Sequence, residues 1–113
     1  MQIVELDASR WAGFEDMYAA FYHALGSPYS ACNVNALLEA VYWDHVYDAF
    51  NGTDRCKGYS VKPPFTVRVL NHGNADPVVR EQLAWLSEGL TEGHAWFRKE
   101  WGRFDVDIAL ELA

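Results

Sequence analysis

Three short runs of strand character, kept apart by segments of helical periodicity, leave this chain few folds. The clearest strand is Phe65-Thr66-Val67-Arg68-Val69-Leu70, β-branched, with Pro63-Pro64 before it and Asn71-His72-Gly73 after it. Gln2 to Leu6 alternates weakly, with Ile3, Val4 and Leu6 apolar. Val106, Ile108, Leu110 and Leu112 alternate with Asp105, Asp107, Ala109 and Glu111, the pattern of a half-exposed strand. Between the first two strands, Phe14, Met17, Tyr18, Phe21 and Leu25 mark an amphipathic helix that Ser9 can cap and Gly26 stops. A second helix opens at Asn33 and buries Val34, Leu37, Val41 and either Leu38 or Ala40. Its other face shows Asn35, Glu39 and Tyr42 or Trp43. Asp76-Pro77 is a helix start, a capping carboxylate followed by proline in the first turn. Val79, Leu83, Leu86 and Leu90 continue it, but Glu88-Gly89 and Glu92-Gly93 interrupt the run, which therefore reads as two helices.

Strands separated by helices pair in parallel. The expected architecture is α/β: a three-stranded parallel sheet from residues 2–6, 65–70 and 105–111, flanked by about four helices near 14–25, 34–46, 77–88 and 92–101. Residues 47–64 form a long connection, with Asn51-Gly52 as a turn. Connections of that length are uncommon and often functional.

At 113 residues the chain is expected to form one domain, 1–113. No apolar run reaches the roughly 20 residues of a membrane span and no signal peptide opens the chain, so a cytoplasmic protein with no membrane partner is expected. In that setting Cys32 and Cys56 are expected to stay reduced. The net charge of −7 is unevenly spread. Residues 1–54 hold eight acids and a single base, Arg10, whereas residues 55–113 hold eight of each. An acidic half repels nucleic acid and attracts basic proteins.

That half contains Leu25-Gly26-Ser27-Pro28-Tyr29-Ser30-Ala31-Cys32-Asn33-Val34-Asn35-Ala36-Leu37-Leu38-Glu39. Here one helix ends, a proline-stiffened loop displays Tyr29, and Asn33 caps the next helix. Asn35 and Glu39 lie one turn apart on that helix. An aromatic loop beside a polar, acidic helix face suits a binding surface. The stretch resembles the barstar family of intracellular ribonuclease inhibitors, in which a Pro-aromatic loop runs into a helix beginning Asn-Leu-Asp-Ala-Leu with a second Asp one turn on. Tyr29, Asn33, Ala36 and Leu37 match that pattern, and Val34 is a conservative match. Asn35 and Glu39 stand where the family usually has Asp, and the 47–64 connection is longer than the family's.

The resemblance implies a three-stranded parallel sheet with the first strand central. It further implies a small acidic cytoplasmic inhibitor, an immunity protein, that occludes the active site of a basic ribonuclease toxin. The partner is then a basic protein toxin, and the free protein a monomer. Tyr29, Asn33, Asn35, Leu38, Glu39, Tyr42 and Trp43 are the expected contact residues, with Asn33 also serving as the cap. The alternative is a module of the same fold directed at a non-nuclease toxin or another protein. Trp11, Trp85, Trp96 and Trp101 are assigned to the core or its rim.

Enzyme readings fare worse. Cys32 sits near a helix N-terminus, where a thiol can be activated, but no signature of a Cys-His enzyme accompanies it. The histidines lie 22, 27 and 22 residues apart, without metal-ligand spacing. Neither Gly-x-x-x-x-Gly-Lys nor Gly-x-Gly-x-x-Gly occurs. Asp105 and Asp107 share a strand face with no sign of burial. No catalytic residue, metal ligand or cofactor is expected.

Overall fold

The strand richest in β-branched and aromatic residues becomes the middle of the sheet. In the computed structural model, which describes residues 2–102 and 105–113, β1 (Gln2–Asp7), β2 (Phe65–Leu70) and β3 (Ile108–Leu112) form a parallel sheet in the order β1-β2-β3. Val67 pairs with Val4 on one side and Leu110 on the other. The central position thus belongs to β2, not to the first strand as the resemblance implied. The reason is polarity. Phe65, Val67 and Val69 are fully buried and Thr66 nearly so, while β1 carries Glu5 and Asp7 and leaves Ile3 half exposed. A strand with that composition is suited to an edge.

Helices cover one face of the sheet. The helix α1 (Phe14–Leu25) buries Met17, Tyr18, Phe21, Tyr22 and Leu25, as its periodicity requires. Its cap differs from expectation. Gly13 precedes the first turn without a side-chain bond, and Ser9 instead donates to Asp7 in a short 3-10 turn. At the C-terminus Gly26 adopts φ 69°, and a Cβ there would lie 2.6 Å from the Ser60 backbone nitrogen, so glycine is required twice over.

The second helical segment runs further than 34–46. It comprises α2 (Val34–Leu38), a π-helical turn over Glu39–Trp43, and α3 (Asp44–Asn51), which ends in left-handed Gly52. The connection to β2 is therefore 52–64. Its Cys56, Tyr59 and Val61 are buried, and the Asp48 carboxylate accepts the backbone N–H groups of Arg55 and Cys56. Those bonds, with one from Thr53, outweigh burial and hold Asp48 down at about 2. The segment is a packed loop rather than a free one.

The largest departure is α4, a single helix over Pro77–Trp101 in place of two. Asp76 caps it through the Val78 N–H at 2.8 Å. Gly89 and Gly93 do not break it; they let it approach its neighbour. A Cβ on Gly89 would stand 2.8 Å from Leu38 Cδ2, and one on Gly93 would stand 2.9 Å from Tyr42 Cε2. Among the described residues there are thus three principal helical segments, and the last strand begins at Ile108 rather than at 105. No described helix is long and apolar enough to cross a membrane.

Candidate functional site

The π-helical turn decides which residues face outward. It inserts one residue into the helical repeat, which rotates everything after it by about 100°. Tyr42 and Val46 consequently turn into the core, at 0% and 2% exposure, and Asp44 and His45 follow them. Trp43 stays half buried, and Tyr47 and Phe50 emerge. Tyr42 is thereby removed from the expected contact set: a side chain with no accessible surface does not touch a partner. Its hydroxyl donates to Asp105, and its ring meets Trp43 and His94 edge-on at 5.0 and 4.6 Å. Burial, then that carboxylate, push the Tyr42 phenol well above its usual range.

The other expected residues lie along one side of the molecule. Asn33 is exposed and accepts the Ala36 N–H at 2.8 Å, so its amide oxygen is committed to the cap. Asn35 and Glu39 are exposed, and Leu38 is half buried beside them. Tyr29 is half buried, edge-on to Tyr22, and its hydroxyl donates to Asp44 at 2.9 Å. Asp44 also accepts from Tyr59 at 3.1 Å. This carboxylate ties the Tyr29 loop and the 52–64 loop to the start of α3, which fixes Tyr29 in place. The hydrogen bond to Asp44, with some burial, raises the Tyr29 phenol above its usual value.

Opposite this helix runs α4, and the space between them is a continuous groove. Its upper part, about 530 Å³, lies among Asn35, Leu38, Trp85, Glu88 and Glu92. The middle, about 620 Å³, is floored by Gly89 and Gly93 and walled by Trp43 and Trp96. The lower part, about 420 Å³, is an aromatic bowl of Trp43, Tyr47, Phe50, Trp96, Phe97 and Trp101, with Glu39 at its edge. The rings hold one another. Trp43 and Trp96 stand 6.3 Å apart, Phe50 and Trp101 5.2 Å, and the Arg55 guanidinium covers Tyr47 at 4.4 Å.

Trp85, Trp96 and Trp101 remain 47–51% exposed, so they are surface residues of the groove and not core. Reading 77–101 as one helix would have exposed them. Trp85, Gly89, Glu92 and Trp96 fall at i, i+4, i+7 and i+11, a face that mixes aromatic, glycine and acid and so cannot be a core stripe.

A second polar cluster lies beside the C-terminal half of α4, at His94 and Arg98. Asp105, its side chain 5% exposed, accepts from Tyr42 and Arg98 and faces His94 Nδ1 at 3.0 Å. His94 Nε2 faces the Ile108 carbonyl at 2.6 Å. Asp105 is thus buried and shared among three side chains, contrary to its expected place on an exposed strand. Burial opposes its charge, but bonds from Tyr42 and His94 prevail and lower its carboxyl below the usual range. The cluster fastens the start of the last strand to α4. Among the described residues no group of three or more His, Cys, Asp or Glu side chains is arranged to hold a metal ion, and Cys32 and Cys56 are unbonded.

Comparison with known protein families, with curated proteins and with solved structures gives no match for this chain.

Proposed function

We propose that this chain is a protein-binding inhibitor of the barstar kind: a small acidic immunity protein, monomeric and cytoplasmic, that occludes the active site of a basic ribonuclease toxin. The observation that carries the reading is the exposed Glu39 carboxylate, one turn from exposed Asn35 and beside the half-buried Trp43. A carboxylate presented next to a partly dehydrated aromatic wall is an effective anchor for a cation on a partner, because the wall excludes water from the pair. In a nuclease cleft, Glu39 would take the place of a substrate phosphate. Support also comes from the parallel sheet, the match at Tyr29, Asn33, Ala36 and Leu37, and the concentration of negative charge in residues 1–54.

The test is to express the product of the neighbouring gene, titrate the purified protein into it and follow RNA cleavage. Stoichiometric loss of cleavage, with an on-rate that falls steeply between low and physiological salt, is the expected result. A neighbouring toxin that binds the protein but cleaves no RNA would transfer the reading to the second one, a module of the same fold for a non-nuclease target. The exposed tryptophans of α4 favour that alternative, since mimicry of phosphates needs no such surface.

A further inference from the structure

The groove between the two long helical segments is not explained by a carboxylate entering someone else's cleft. It is concave on this protein, so the partner must supply something convex. We propose that the groove receives a basic amphipathic helix of the partner, lying along α4 from Trp85 to Trp96. This rests on the reading that the face binds a basic protein, and it adds the shape of what the partner contributes.

Length comes first. The eleven-residue step from Trp85 to Trp96 spans about 16 Å at the α-helical rise, or about three turns of a docked helix. Aromatic stations sit at Trp85 and at Trp43 with Trp96. An amphipathic helix presents apolar residues to such stations at i, i+3, i+4 and i+7.

Backbone chemistry decides between a helix and an extended segment. Both walls are helices, whose own backbone groups are already bonded, and the groove has no open strand edge to extend. An extended occupant would lay unpaired N–H and C=O groups against aromatic walls, whereas a helix brings its backbone bonds with it.

Charge selects the sign. Among the described residues, the carboxylates lining the groove are Glu39, Glu88 and Glu92 beside the buried Asp44, and the one base, Arg55, is taken up by Tyr47 and Asp44. Glu39, Glu88 and Glu92 are exposed. A second copy of the chain is a poor occupant for the same reason, because a twofold contact would set these carboxylates against themselves. Flanking Lys or Arg residues on an incoming helix would meet them instead.

The test uses a synthetic peptide of about twelve residues with leucines at i, i+3, i+4 and i+7 and Lys or Arg elsewhere, a length set by the helical rise. Binding is followed by the intrinsic tryptophan fluorescence of the protein and by gain of peptide helicity. Two comparison peptides accompany it, one with the same composition in scrambled order and one with Glu in place of the basic residues. The proposal expects saturable binding of the first and at least tenfold weaker binding of both others. Trp85→Ala and Trp96→Ala should each weaken the first by tenfold or more, while Val78→Ala, exposed on α4 outside the groove, should not. Equal binding of the scrambled peptide, equal binding of the acidic peptide, or undiminished binding by Trp96→Ala would each overturn it. So would a stable dimer at micromolar concentration that buries these tryptophans. Failure of the ribonuclease reading looks different: the peptide binds as described, yet the neighbouring toxin's RNA cleavage is untouched. Conversely, if Glu39→Ala abolishes inhibition while both tryptophan variants inhibit normally, the inhibitor reading stands and the docked helix falls.

Discussion

The open face of the sheet and the groove beside α4 are both exposed and both charged, yet they are built on opposite terms. On the sheet, Arg68 of the central strand pairs with Glu111 at 3.0 Å and Glu5 at 3.5 Å, its register neighbours on either side. Each charge is answered across the strands, and Ile3 is the one large apolar side chain of the sheet left substantially exposed among the described residues. In the groove three exposed carboxylates stand over exposed tryptophans. The sheet face is complete within the chain; the groove is not. The proposed binding surface rests on that asymmetry more than on net charge.

The largest effect that can break the comparison is on binding. Glu39→Ala should weaken association with a basic partner by about 2–5 kcal/mol, since its loss leaves cations of the partner unpaired. Thermal stability should change little, by about 0.5 kcal/mol at most, because Glu39 is exposed on a helix. Calorimetric titration beside thermal melts checks both. Asn35→Ala should cost less, as an amide bonds more weakly than a carboxylate. Unchanged affinity of Glu39→Ala would remove the groove edge from the binding site.

Next in size is the floor of the groove. Gly93→Ala would place a methyl 2.9 Å from a Tyr42 ring that is fully buried and anchored through Asp105. That ring cannot retreat, so overpacking of about 1–3 kcal/mol should exceed the roughly 1 kcal/mol gained in helix propensity. At Gly89 the obstacle is the end of the half-buried Leu38 side chain, which can rotate away. Gly89→Ala should therefore be close to neutral or slightly stabilising. Urea midpoints distinguish the two, and equal destabilisation would mean that the contact at Leu38 is as rigid as the one at Tyr42.

These glycines also show what the sequence could and could not reveal. Every element expected from uninterrupted periodicity is present: α1 ends at Gly26, β2 spans the stated residues, and Asp76-Pro77 opens a helix. Glu88-Gly89 and Glu92-Gly93 read as breaks because glycine lowers helix propensity locally; that packing against Leu38 and Tyr42 repays the loss is a tertiary fact. The π-helical turn is equally invisible to a 3.6-residue template, and it is why Tyr42 counts among the contact residues in the sequence yet is buried in the fold. Expecting the tryptophans of α4 in the core or at its rim follows from hydrophobicity alone. Only the continuous helix shows that Trp85 and Trp96 share a face with Glu92.

Acid sensitivity separates the interior from both faces. His45 is buried against Tyr59 and Phe65, its Nε2 has no hydrogen-bond partner among the described residues, and burial lowers its pKa, with Lys62 adding to the effect and Asp44 opposing it. The unfolded chain then binds the proton more readily than the folded one. Stability is fully present above the unfolded value, about 6.5 for histidine, and falls as the pH drops below it toward the folded value. Asp105, lowered by its partners, loses its contribution only below the ordinary aspartate range, near 4. Denaturant midpoints should therefore decline in two windows. His45→Phe should flatten the upper one, while Asp105→Asn should flatten the lower only in part, because Asp48, held at about 2, titrates in the same window. A parent protein equally stable at pH 7 and pH 5 would contradict the burial of His45.

The smallest expected effect sharpens the comparison from the other side. Arg68 holds Glu5 and Glu111 in a ladder exposed to solvent, where water and salt already screen most of the attraction. Removing it leaves two carboxylates on the strands that flank β2, separated by the full width of that strand, so their mutual repulsion is weak. Arg68→Ala should lower the melting temperature by less than about 4 °C, and less still in high salt. Binding of a basic partner or a basic helical peptide should not weaken. It should rise slightly at low salt, because the acidic excess grows by one charge. A clear loss of binding by Arg68→Ala would mean that the self-paired face takes part in recognition, and the contrast between a completed and an uncompleted surface would no longer locate the site.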